Sequence, residues 1–252
     1  MEKDKTKNLV NNVQNACEKI YFLFAGLFNK LISYVHFLDP KDNTKQRVVS
    51  SLILVPLAVY AIFFSKSVFI FIAIALAILM TIEWLDIVKT AKDQKKWRII
   101  GFFYILIPIY AVIKIRLYDA DVLLWMFAVI WATDIFAFFA GRSFGGPKLA
   151  PSISPNKTWS GLAGGVIASM LIGFMSSFMF QGGIFFFIFV SLFLALLEQA
   201  SDLFESKIKR IFGVKDSGNI IPGHGGVLDR LDGMMFVAPV ILFLISAFPH
   251  KF

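Results

Sequence analysis

Val68–Ile87, VFIFIAIALAILMTIEWLDI, decides the class of fold. It carries no charge before Glu83 and is as long as a membrane-crossing helix, which needs about 20 predominantly apolar residues. Six further apolar runs lie on either side: Val48–Phe64, Ile99–Ile115, Val122–Ala140, Trp159–Phe180, Ile184–Leu197 and Met234–Phe248. The last two are short. They must borrow flanking residues or sit partly inside the protein. The composition agrees with this pattern: 58% of the 252 residues are hydrophobic, 29 are Phe, and 17% are charged. Soluble domains are about 45–50% apolar and about 25% charged. The reading is an all-α, polytopic integral membrane protein with about seven transmembrane helices and at most about nine. There is no long internal repeat.

The loops set the expected topology. Lys41, Lys45 and Arg47 precede the first run, and Lys89, Lys92, Lys95, Lys96 and Arg98 follow the second. Arg142, Lys148 and Lys157 follow the fourth, and a further basic cluster follows the sixth. The intervening loops are short. Basic residues in every second loop place those loops, and the N-terminus, in the cytoplasm. This accounts for much of the net charge of +8 without a nucleic acid partner. The single Cys17 excludes an internal disulfide. The N-terminus lacks the pattern of a cleavable signal peptide. Residues 1–47 read as a polar tail containing an amphipathic helix at Ile20–Leu38, whose Asn29 and Lys30 favour the membrane surface over a span. Residues 48–252 read as the membrane-embedded domain.

Two of the basic loops carry more than topology requires. In the first, Thr133–Gly161, Gly145-Gly146-Pro147 makes a turn, and Ser154-Pro155 has the form of an N-cap followed by the first helical residue. Lys157 and Thr158 would then lie in a first turn suited to phosphate. The structural alternative is a capped helix with a Lys at the membrane surface. Asp134 lies within an apolar run, where a carboxylate needs a partner, a metal or a water-filled cavity. Glu83 and Asp86 read first as interface residues facing headgroups.

The second loop is Ser201–Gly233, SDLFESKIKRIFGVKDSGNIIPGHGGVLDRLDG. Leu203–Phe212 has an amphipathic helical pattern, with Asp202, Glu205 and Ser206 on one face. Val214–Gly226 is irregular and Gly-rich, a composition that lets backbone N–H groups approach an anion. Asp229 and Asp232 are spaced i, i+3, with Arg230 between them. Paired carboxylates, a Gly-rich turn and many cations suggest a polyphosphate bound through Mg²⁺, which is held by one or two carboxylates plus substrate phosphates. His224 is as well suited to a turn or phosphate contact as to a general base. Zinc clusters and the common nucleotide motifs are missing from the sequence.

Ser206–Asp232 resembles the signature of the CDP-diacylglycerol synthases, or phosphatidate cytidylyltransferases. Ser206, Lys209, Arg210, Lys215, Asp216, Pro222–Gly226, Asp229, Arg230 and Asp232 fill its positions. Asp134, Gly141–Gly145, and Ser154, Pro155, Lys157, Thr158 and Trp159 are similar to the family's earlier loop. The likeness covers roughly the last two-thirds of the chain. Ala200 and Ser160 depart from common family residues without removing a carboxylate. The resemblance implies that CTP and phosphatidic acid give CDP-diacylglycerol and pyrophosphate with Mg²⁺ as cofactor, a second metal ion being compatible, at the cytoplasmic side of the inner membrane. It is also compatible with a homodimer. It implies Asp202, Asp229 and Asp134 at the metal, and Asp229, Asp232, Lys215, Asp216 and Arg230 in the reaction. Lys157, Thr158, Ser206, Lys209, Arg210, Gly223, His224, Gly225 and Gly226 would bind substrate. The competing readings are a CTP-dependent lipid or polyprenol kinase and an anionic-solute transporter. Transporters place polar groups at broken mid-membrane helices, whereas most charge here lies in two loops.

Overall fold

The computed structural model describes residues 59, 60, 62–218 and 225–252. Five helices are long and apolar enough to cross a membrane. They are α1 (Lys66–Ile87), α2 (Gln94–Tyr118), α3 (Ala120–Phe144), α4 (Trp159–Ser176) and α5 (Ile184–Ile211). A hairpin, β1 (Lys148–Ala150) and β2 (Ser154–Thr158), joins α3 to α4. The one-turn α6 (Leu228–Leu231) and the apolar α7 (Met234–Ala247) complete the fold. The all-α membrane class therefore holds, with one small ribbon added. Most of the first expected run, Val48–Phe64, and the interfacial helix at Ile20–Leu38 lie outside the described residues.

Local chemistry explains where the helices start and stop. Ser65, Asp93 and Asp119 are N-caps whose side chains accept from Val68, Lys96 and Asp121 backbone N–H groups. Buried residues Phe69, Ala73, Ala77, Met80 and Trp84 recur every three or four positions along α1, so one stripe faces the bundle. Phe71, Phe103 and Phe185, at 70%, 54% and 77% exposure, point outward. Such side chains suit lipid and would be costly in water.

The two short runs take the two courses open to them. The sixth run and the amphipathic Leu203–Phe212 segment form one continuous helix, α5, of 28 residues. The short run did borrow its flank. The seventh, α7, has 14 residues, about 21 Å at 1.5 Å per residue. That falls short of the roughly 30 Å hydrocarbon core. It packs against α2, α3 and α5, and Met235, Val237, Ala238 and Ile241 are buried at 2% exposure or less. It is a core helix.

The expected helix start at Ser154-Pro155 is also corrected. Those residues belong to β2, with Ala150 paired to Ser154 and Lys148 to Thr158. A two-stranded ribbon tolerates Pro155 because an edge position needs no N–H there. The N-cap is Thr158, whose hydroxyl accepts from Gly161 N at 3.1 Å. Lys157 therefore precedes the helix, and the helical dipole begins at Trp159.

Successive helices run in alternating directions, so the loops collect at two ends. At one end the Trp97 and Phe212 rings meet at 5.0 Å and Arg210 Nε donates to Ile153 O at 3.3 Å. At the other, Tyr118 Oη donates to Pro249 O at 3.2 Å. There the Phe252 ring packs with Trp125, Phe180, Phe186 and Phe187. Both long polar loops lie at the first end.

Helices α3 and α4 pack closely. A Cβ at Gly165 would stand 2.8 Å from Thr133 O and 3.1 Å from Thr133 Cγ2. One turn on, the Thr133 and Ser169 hydroxyls are 2.6 Å apart and buried. Small residues let helices in lipid gain contact that the hydrophobic effect does not supply. Gly165→Val is expected to destabilise the protein by about 1–3 kcal/mol through overpacking. A lowered melting temperature in detergent checks this, and an unchanged one means that α3 and α4 separate at little cost.

Candidate active site

Three elements bring acidic side chains to the loop end: Asp134 from α3, Glu198, Asp202 and Glu205 from α5, and Asp232 from the link between α6 and α7. On α5, Glu198 and Asp202 are one turn apart. Positions i and i+4 share a face, so this spacing aims both at α3 and β2. The Asp134 and Glu198 carboxyls meet across α3 and α5. Two carboxyls in contact need a proton or a cation between them. Gln199 Nε2 donates to Glu198 Oε2 at 2.9 Å, while Glu198 Oε1 is buried with no donor. Lys157, the last but one residue of β2, pairs with Asp202 and donates to Gln199 Oε1 at 2.9 Å. Ser206 Oγ donates to the other Asp202 oxygen at 3.2 Å.

Asp232 stands at the entry to α7. Its Oδ1 accepts from Gly233 N at 2.8 Å, and Ser201 Oγ donates to its carbonyl. Burial, and then the nearby Asp202 and Asp134 carboxylates, push the Asp232 carboxyl up to about 8. Asp134, Glu198, Asp202 and Asp232 thus form one concentration of carboxyl groups, and Lys157 pairs with it through Asp202. Oxygen-only donors of this kind suit a hard cation such as Mg²⁺, which takes one or two protein carboxylates. Among the described residues no three acidic, His or Cys side chains already stand in a metal-binding geometry.

Asp229 has different surroundings. Its Oδ1 receives Lys209 Nζ at 2.6 Å and its Oδ2 receives Gly226 N at 2.9 Å. Ser217 N reaches both oxygens, at 3.1 and 2.9 Å. Burial alone would raise its carboxyl. The Lys209 hydrogen bond and charge, with the Gly226 and Ser217 N–H groups, outweigh burial and hold it below the ordinary range. Lys209 also lies 3.0 Å from Glu205 Oε1, although neither Glu205 oxygen receives an aligned hydrogen bond. Lys209, expected at a phosphate, is thus buried at 7% exposure between two carboxylates.

The remaining expected residues divide by position. Arg210, Lys215, Asp216 and Arg230 are exposed at the loop end, with Arg210 bonded to Ile153 O and Val214 O. Thr158 is buried and used as the α4 cap. Gly225, at φ 82°, borders Asp229 and Asp216. Gly223 and His224 lie outside the described residues. The sequence reading passed over Glu198 and Gln199. Its own rule for carboxylates in apolar runs, applied to Asp134, would have found Glu198. It also misread Glu83, which is 2% exposed and bonded to Ser217, Val227 and Leu228, whereas Asp86 does face outward and pairs with Lys89 at 2.9 Å.

Residues 97–248 match the sequence model of the Cytidylyltransferase family. The chain belongs to that family. The matched residues hold every acid of the cluster. The chain is also 40% identical over 220 residues to a phosphatidate cytidylyltransferase of Rickettsia felis, covering 83% of this chain and 95% of that protein. A Rickettsia bellii protein of the same name is 41% identical, covering 81% and 91% respectively. One from Brucella abortus biovar 1 is 40% identical, covering 70% of this chain and 64% of that protein.

Two outcomes follow from the geometry. Lys209→Met leaves two buried carboxylates without their cation and is expected to cost about 3–5 kcal/mol, read as a large fall in melting temperature. A lysine that served only bound phosphate would leave the melting temperature of the unliganded protein unchanged. The Asp229 contribution is present at neutral pH and is lost as pH falls through its depressed value. Asp229→Asn should flatten that acid limb of a stability–pH curve.

Proposed function

We propose that the protein is a phosphatidate cytidylyltransferase, making CDP-diacylglycerol and pyrophosphate from CTP and phosphatidic acid. The observation that carries this reading is the Asp134–Glu198–Asp202–Asp232 cluster, faced by Lys157 at the loop end of a membrane bundle. The family and the likeness to phosphatidate cytidylyltransferases over nearly their full length support it.

The reaction suits such a site. A phosphatidate oxygen forms a bond to the α-phosphorus of CTP as the bond to the bridging oxygen breaks, and pyrophosphate leaves with that electron pair. The phosphate monoester has a second pKa near about 6, so near neutrality it needs no strong protein base. The obstacle is repulsion between two anions. Lys157 offers a cation at the cluster, and Arg210, Lys215 and Arg230 line the same end of the bundle. These groups bind and orient phosphates and offset charge on the leaving group. Asp134, Glu198, Asp202 and Asp232 are the residues that would hold Mg²⁺, which would supply charge neutralisation and alignment. Asp229, satisfied by Lys209 and backbone N–H groups, would hold the loop unless Lys209 leaves it. With basic loops facing the cytoplasm of the inner membrane, the cluster meets CTP from water and phosphatidate from the bilayer.

Purified protein given CTP, phosphatidic acid and Mg²⁺ should release pyrophosphate and CDP-diacylglycerol. CDP with a phosphorylated lipid would instead identify a kinase, and no turnover with any divalent ion would end the cytidylyltransferase reading. Asp202→Asn in folded protein should lower kcat by about 100-fold or more, the scale of losing a charge-stabilising group. The raised Asp232 carboxyl has a further consequence. Its protonated form stabilises the cation-free protein, and that contribution is lost as pH rises toward about 8. Mg²⁺ should therefore raise the melting temperature more at pH 8 than at pH 6, since binding displaces the proton. An equal rise at both would remove Asp232 from the metal site.

A further inference from the structure

Glu83 lies on α1, outside residues 97–248 that match the family, and far in sequence from the acid cluster. Its carboxylate is nevertheless fully engaged at the loop end. Oε1 accepts from Val227 N at 2.8 Å. Oε2 accepts from Leu228 N at 2.8 Å and from Ser217 Oγ at 3.1 Å. Two segments, 217–218 and 226–228, are thus tied to one side chain. The Ser217 hydroxyl also accepts from Asp229 N at 3.4 Å, while Ser217 N and Gly226 N donate to the Asp229 carboxylate. Both segments fit closely around Glu83. A Cβ at Gly226 would stand 2.1 Å from Ser217 Oγ and 2.7 Å from both Glu83 oxygens. At Gly218 it would stand 2.8 Å from Glu83 Oε1.

We infer that Glu83 is a positioning residue of the active site: it clamps Ser217 to residues 226–228 and, through Ser217 and Gly226, sets the place of Asp229. The inference rests on the proposed function only for where the loop acts. All three groups that reach Glu83 are donors, so the site needs two acceptor oxygens. Glutamine has nearly the same shape but must turn an NH₂ toward a backbone N–H. Aspartate keeps both acceptors on a stem shorter by one methylene.

The test uses the full-length protein in detergent, with Glu83→Gln, Glu83→Asp and Ser217→Ala beside wild type. Amide hydrogen exchange across 225–231 should speed up at least tenfold in Glu83→Gln and less in Glu83→Asp, with residues 94–118 unchanged. Turnover should follow the same order. Expected kcat in folded Glu83→Gln is at least tenfold below wild type, Glu83→Asp should recover part of it, and Ser217→Ala should fall between Glu83→Gln and wild type. Wild-type exchange and kcat in folded Glu83→Gln overturn the inference. So does loosening spread evenly over the bundle, which marks a merely structural carboxylate. If Glu83→Gln does not fold, Ser217→Ala decides by the same two readings. A wild-type protein without cytidylyl transfer would refute the proposed reaction, whereas the exchange measurement would still decide the clamp.

Discussion

Lipid cannot satisfy a charge or a free backbone polar group, and this constraint orders the molecule. Five helices close their backbone hydrogen bonds internally and turn phenylalanines outward. The carboxylates that remain must find partners within the protein. The buried ones do so at one end, where α3, α5, β2 and the α6–α7 link converge. The buried Lys209 is the clearest case, since both Glu205 and Asp229 depend on its charge.

That convergence separates two kinds of acid. Glu83 and Asp229 are saturated by backbone N–H groups, a hydroxyl and Lys209. Asp134, Glu198, Asp202 and Asp232 crowd one another with Lys157 at their edge, and Glu198 keeps a buried oxygen without a donor. Crowded, under-satisfied carboxylates are the kind that a cation would relieve, and in the proposed reaction they would stand beside the saturated ones.

The short α7 shows how the site and the bundle depend on each other. It enters directly after Asp232 and Gly233, and a Cβ at Gly233 would stand 3.1 Å from Glu198 Cγ. The packing of α7 against α5 and α3 therefore fixes the chain on which Asp232 stands. Partial burial and the acids around it raise the Asp232 carboxyl to about 8.

The sequence by itself determined the membrane class, the long apolar helices and the clustering of charge in two loops, because these follow from composition and period. It also carried the signature from Ser206 to Asp232, because that pattern is contiguous. Spacing along one helix was legible too, as with Asp202 and Ser206. Only the tertiary structure decided partners across elements. It moved the α4 cap from Ser154 to Thr158, because β1 claimed β2 for a ribbon. It gave Lys209 to two carboxylates, and it brought Glu83 to Leu228, 145 residues away. Hydrogen bonds at such separations depend on how helices pack, and no local pattern encodes that.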